Sequence, residues 1–103
     1  MKNAVFYCAF NLVEGASVEE FIEVSKELND NYISKQKGYV SWQQLRDGDD
    51  WLDLVTFETM EDVQSFASNP ENEKNPFALK YFSFVKMEDC KATMFSVEAE
   101  WDK

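Results

Sequence analysis

The side chains able to act as acid, base, nucleophile or ligand are few in this sequence, and one kind is missing altogether. Among 103 residues there is no His. That removes Ser-His-Asp and Cys-His nucleophile pairs, His-ligated haem, zinc or non-haem iron, and any side chain whose ordinary pKa lies near neutrality. Cys8 and Cys90 are too few for a disulfide framework and read as small buried hydrophobes. Arg46, the single arginine, is a candidate clamp for an anionic ligand, against the plainer reading of a surface ion pair. Asp47, Asp49 and Asp50 offer the oxygens a hard cation wants, but not at calcium-loop spacing. A solvated turn accounts for them, and no metal is expected. Glu98 and Glu100 share one face of an extended run, where burial would make either a general base. A charged edge strand with a solvated face is the simpler reading, and Glu71 to Glu73 reads as a solvated loop.

Aromatic side chains, by contrast, make up 16% of the chain. Phe6, Phe10, Trp42, Phe66, Phe77, Tyr81 and Phe82 sit at strand or helix spacing, where they either line a pocket between sheet and helices or fill a solid core. Ten Lys+Arg stand against twenty Asp+Glu, a net charge of -10. With a pI near 4.3, the surface repels phosphate backbones, so no nucleic-acid partner is expected. No apolar run reaches the eighteen residues of a membrane span. The first residues, Met1 to Asn11, alternate like a strand and lack a cleavage site, so a signal peptide is rejected and a soluble, cytoplasmic protein without a membrane partner is expected. The whole chain, 1–103, reads as one domain, long enough to bury a core without a cofactor.

The elements that would place these residues follow in simple order. Residues 3–12 alternate, with Ala4, Phe6, Cys8, Phe10 and Leu12 on one face and Val5, Tyr7, Ala9 and Asn11 on the other. Ser17-Val18-Glu19-Glu20 fits a capping box at the start of a helix whose stripe is Val18, Phe21, Ile22, Ser25, Leu28, Tyr32 and Ile33. Gly38 ends that helix. Strands 39–46 and 51–58 meet across Asp47-Gly48-Asp49-Asp50, a hairpin signal because Gly accepts positive φ. Thr59 opens a second helix with Val63, Phe66 and Ala67 on its apolar face, Asn75-Pro76 opens a further short one carrying Phe77, Leu79, Tyr81 and Phe82, and 92–101 alternates as a last strand.

The order β-α-β-β-α-β implies two right-handed split crossovers and an α+β, ferredoxin-like fold: a four-stranded antiparallel sheet with both main helices on one face. In that topology the last strand begins near Leu12 or Val13. Cys90 then lies roughly 17 Å along the sheet from Cys8, too far for a bridge. The face without helices should be polar, yet every assignment leaves apolar residues on it: Phe6, Phe10 and Leu12 or Val5, Tyr7 and Ala9, with Leu52 and Leu54 or Trp51, Val55 and Phe57. Such a surface marks an interface. The expectation is a homodimer with sheets packed face to face and Trp101 reaching toward the partner.

At this level the chain resembles the dimeric α+β barrel superfamily, and within it the antibiotic-biosynthesis monooxygenase-like domains. The resemblance spans the chain and rests on the first strand ending in Glu14-Gly15, the helix around Phe21 and Leu28, Lys37-Gly38-Tyr39, and the run Val55 to Val63. The family often carries Glu-x-Trp before its second helix and a His inside it. Matched on the helix cap, Val55 and Phe57 stand where that Glu and Trp would be, and Phe66 where the His would be. The resemblance implies a ligand between sheet and helices, and Asn11 at a position from which relatives contact it, with Trp42, Gln44 and Arg46 sharing one face of the second strand.

The candidate ligand contacts are thus Phe10, Asn11, Trp42, Gln44, Phe66, Phe77 and Tyr81. The leading expectation is a homodimeric protein binding a small aromatic or apolar molecule, with no catalytic residue assigned and no cofactor. A second is a cofactor-independent monooxygenase acting on a phenol or quinol, a route that needs no His because a deprotonated substrate can itself react with oxygen in a dry pocket with polar groups that stabilise a phenolate. Haem degradation is not expected without an imidazole. A third is a structural dimerisation module with a filled core, which a cavity well below a few hundred cubic ångströms would favour.

Overall fold

The computed structural model describes residues 2–103. Strand β1 (Ala4–Phe10) is followed by helix α1 (Val18–Asn31), strands β2 (Tyr39–Asp47) and β3 (Asp50–Phe57), helices α2 (Met60–Ala67) and α3 (Pro76–Phe82), and strand β4 (Lys91–Ser96). The sheet is antiparallel in the order β2-β3-β1-β4, the ferredoxin-like arrangement. Three-residue 3₁₀ turns at Ile33–Lys35 and Met87–Asp89, and one at Pro70–Glu73, link the elements.

Each helix starts where a side chain satisfies its first free N–H groups. Ser17 Oγ accepts from Glu20 N–H at 3.2 Å, Thr59 Oγ1 from Asp62 N–H at 3.1 Å, and Asn75 Oδ1 from Phe77 and Ala78 N–H at 2.9 and 3.2 Å. The buried face of α1 is Phe21, Val24, Ser25 and Leu28, continued by Tyr32 and Ile33. Ile22, expected in that stripe, is exposed. It lies about 100° round the helix from Phe21, outside the arc the other four occupy. Leu79 is likewise exposed on α3, which buries Ala78 and Tyr81 instead. The core lies between the helices and the inner sheet face, with Phe21, Phe57 and Val63 fully enclosed and Phe10 and Phe21 in ring contact with each other and each with Trp51 and Tyr81.

The last strand departs from the sequence expectation. It was expected at 92–101 with its start beside Leu12 or Val13, but it ends at Ser96 and starts opposite Ala9. The place beside Leu12 is taken by Val85, held by Val13 N–H to Phe84 O and Lys86 N–H to Asn11 O, both 2.9 Å. Between that bridge and the Ala9–Lys91 pair, β1's side advances three residues and the other side six. The turn Met87–Asp89 absorbs the extra three.

On the outer sheet face, Val5, Tyr7, Ala9, Leu52 and Leu54 are half-buried, while Leu45 and Phe95 are exposed. Trp101 is exposed beyond β4. No helix among the described residues is long and apolar enough to cross a membrane.

Candidate functional site

Alternation along β1 and β3 sends Phe6, Cys8 and Phe10, and Asp53 and Val55, toward the helices. Trp42 of β2, Leu28, Tyr32 and Ile33 at the α1 end, Phe66 of α2 and Tyr81 of α3 form much of the rest of the wall of a cavity of about 590 Å³, with Asn72 and the exposed Glu73 at its margin. The volume falls within the range of small-molecule sites. A second concavity, about 720 Å³, runs over the surface of α1 among Glu19, Glu20, Glu23 and Glu27. All four carboxylates are exposed, so it is an acidic surface groove rather than an enclosure.

The polar centre of the cavity is Asp53, buried on the inner face of β3. One carboxylate oxygen accepts from the Tyr81 hydroxyl, and the other from Trp42 Nε1–H at 3.1 Å. Its strand neighbours are Cys8 on β1 and Gln44 on β2. Burial raises the carboxyl from 3.8 to about 6, against the pull of the hydrogen bonds from Tyr81 and Trp42. Burial, and then the Asp53 charge, push the Tyr81 phenol well above 10, so it remains a donor. Asp53 was not among the residues singled out from sequence. The signal was there: in Trp51–Phe57 it is the one charged residue on the face that carries Trp51, Val55 and Phe57.

Of the seven candidate contacts, Phe10, Trp42, Phe66 and Tyr81 line the cavity. Phe66 meets Phe6 edge-on at 5.4 Å and Phe57 at 5.2 Å, and Val55 and Phe57 are buried on β3. Asn11, Gln44 and Phe77 lie outside the lining. Asn11 Nδ2 donates to Asp49 O at 2.7 Å and to Asp50 Oδ1 at 3.0 Å, fastening the β2–β3 hairpin tip to the end of β1. Gln44 Nε2 donates to Ser25 Oγ at 3.0 Å, joining β2 to α1. Phe77 packs half-buried against the core. Arg46 lies over the Trp51 ring at 5.3 Å and donates to Gly48 O at 2.8 Å. Glu98 is exposed and paired with Lys2 at 2.8 Å, which lowers its pKa, so it is not a buried base.

The cysteines require a correction. Expected about 17 Å apart, Cys8 Sγ and Cys90 Sγ are 2.9 Å apart at the edge of the cavity. The expectation fails with the register: Cys8 pairs with Ala92, and the turn Met87–Asp89 swings Cys90 back over β1. Both are free thiols, Cys8 buried and Cys90 half-buried.

No protein-family model matches the sequence, and no curated protein matches it. Solved structures do match in shape. A point variant of SnoaB, a cofactor-independent oxygenase from Streptomyces nogalater, superposes with a TM-score of 0.76 at 13% identity over 100% of both chains. The chain has the fold of the antibiotic-biosynthesis monooxygenase-like proteins. The monooxygenase ActVA-Orf6 of Streptomyces coelicolor, solved with the ligand nanaomycin D, shares it at a TM-score of 0.71 and 15% identity, over 99% of this chain and 93% of that one. So does the haem degrader MhuD from Mycobacterium tuberculosis, solved with two haems in its active site: TM-score 0.68, 17% identity, over 96% and 99% of the two chains. At such identities the monooxygenase-like fold is what is shared.

Proposed function

We infer that this protein binds a small, largely aromatic or apolar molecule in the cavity between sheet and helices, as a cytoplasmic homodimer whose outer sheet faces pack together. The observation that carries this reading is an aromatic-walled cavity of about 590 Å³ with a single buried carboxylate in its wall. Its volume weighs against a filled-core dimerisation module. Proteins of the same fold include one solved with nanaomycin D and one with haem. Calorimetric titration with naphthols, naphthoquinones and hydroquinones tests it. The expected result is saturable binding of at least one compound class, weakened about tenfold or more in Phe66→Ala, which takes away a ring's contact area. No binding by any class at its solubility limit would remove the reading.

Asp53 favours a second reading, cofactor-independent oxygenation of a phenol or quinol, the type of activity named for SnoaB. A carboxyl near 6 in an apolar enclosure is suited to take the proton of a bound phenol, and the resulting phenolate reacts with oxygen. Trp42 and Tyr81 hold Asp53 in place. Oxygen uptake with the same hydroquinones should fall about 100-fold or more in Asp53→Asn while binding persists. Uptake equal in wild type and Asp53→Asn would eliminate Asp53 as the base.

A further inference from the structure

We propose that Cys8 and Cys90 are a redox pair that closes into an intramolecular disulfide, pinning the start of β4 to the central strand β1 at the cavity wall. The proposal is independent of what occupies the cavity. Its basis is placement. The two sulfurs lie 2.9 Å apart, closer than non-bonded sulfurs ordinarily rest and within easy reach of a bond of roughly 2.05 Å. They come from residues separated by 82 positions, so the contact is made by the fold and not by local sequence. Both segments that carry them are held independently of the thiols: β1 is paired on both sides, and the chain around Cys90, just before β4, is fixed by Cys90 N–H to Met87 O at 3.2 Å and by the Ala9–Lys91 ladder pair. Closure needs only side-chain movement.

Accessibility orders the chemistry. Cys8 is buried, and burial, more than the neighbouring sulfur and Asp53, holds it as a thiol. Cys90 is half-buried at the cavity edge and is the sulfur an incoming oxidant meets. With glutathione disulfide as oxidant, the Cys90 sulfur loses its proton and attacks one sulfur of the reagent. A Cys90–glutathione bond forms, the reagent's S–S bond breaks, and the first glutathione thiolate leaves and takes up a proton. Cys8 then gives up its proton and attacks Cys90 Sγ, expelling the second glutathione as thiol. Two protein thiols are oxidised by two electrons, and one glutathione disulfide is reduced to two thiols.

The test equilibrates the full chain in glutathione buffers from fully reduced to fully oxidised, quenches with acid, alkylates under denaturing conditions and weighs the product. The expected result is two alkylated thiols at the reducing end and none at the oxidising end, with a monomeric chain lighter by two hydrogens. Cys8→Ser should stop at the first step, as a stable glutathione adduct on Cys90. Two thiols surviving in the oxidised buffer, bridges between chains, or a wild-type protein that halts as the mixed adduct would each overturn the proposal. Because the readout is mass alone, it stands or falls separately from ligand binding.

Discussion

Asp53 shows how one side chain ties the stability of this protein to its chemistry. A carboxyl at 3.8 when unfolded and about 6 when folded binds its proton more tightly in the native state. Stability from that proton is fully present below about 4 and is lost as pH rises through about 6, the reverse of the usual salt-bridged aspartate. For a group this deeply buried the loss is on the order of 3 kcal/mol. Asp53→Asn removes the titration. Denaturant unfolding at matched pH should therefore show the variant gaining on the wild type between pH 4 and 7, by up to about 3 kcal/mol. A difference that stays flat over that range would mean that Asp53 titrates as a solvated carboxylate. The residue was legible in principle, because strand alternation puts it on an apolar face. Its hydrophobic neighbours on that face, Trp51, Val55 and Phe57, dominate the pattern and mask it. Asn11 and Gln44 illustrate the converse: the family resemblance suggested ligand contact, and the fold uses their amides to fasten a hairpin tip and a helix.

At the scale of elements, the sequence declared starts better than it declared pairings. Ser17, Thr59 and Asn75 were each readable as caps because capping is a local bond between a side chain and the next two or three N–H groups. The register of β4 was not readable. The three residues that shift it, Met87, Glu88 and Asp89, form a 3₁₀ turn without Gly or Pro to mark it, and only the ladder to β1 fixes where the strand begins. The turn is also what brings the cysteines together. A local signal of a different kind stands at Gly38, between α1 and β2. Its φ is +79°, and a Cβ built there would sit 2.0 Å from Asp62 Oδ2 and 2.8 Å from Asp62 Cβ. Asp62 is buried in the first turn of α2, so β2 and α2 approach through a space only glycine leaves free. Gly38→Ala should cost about 2 to 4 kcal/mol in denaturant unfolding, combining left-handed strain with the clash. Gly48→Ala, at φ +61° with nothing within 4 Å, should cost only about 1 kcal/mol. Equal losses at the two sites would show that the junction yields.

For the molecule as a whole, the outer sheet face is the surface on which the proposed dimer rests. A single layer of helices covers one side of the sheet, and the other carries Val5, Tyr7, Leu52, Leu54, Leu45 and Phe95, with the Tyr7 and Phe95 rings edge to face at 5.9 Å. The apolar patterning of both faces was legible in the sequence because strands alternate. Which face took the helices was not, since Phe6 and Phe10 compete with Val5 and Tyr7 and only packing chooses. A second copy is the occupant proposed for this apolar surface, and a standard interface buries about 800 Å² on each partner. The chain also carries a net charge of -10, so in the proposed dimer two copies would repel through solvent while their apolar faces attract. Salt screens the first effect and leaves the second. The expected sedimentation behaviour is a species of twice 12.0 kDa at micromolar concentration, with a dissociation constant that falls as salt is raised. Leu54→Lys places a charge beside Tyr7 and should return a folded 12.0 kDa monomer, because the cost falls on a face the monomer leaves to water. A wild type that sediments at the monomer mass, or a dimer weakened by salt, would mean that charge rather than apolar burial governs this face.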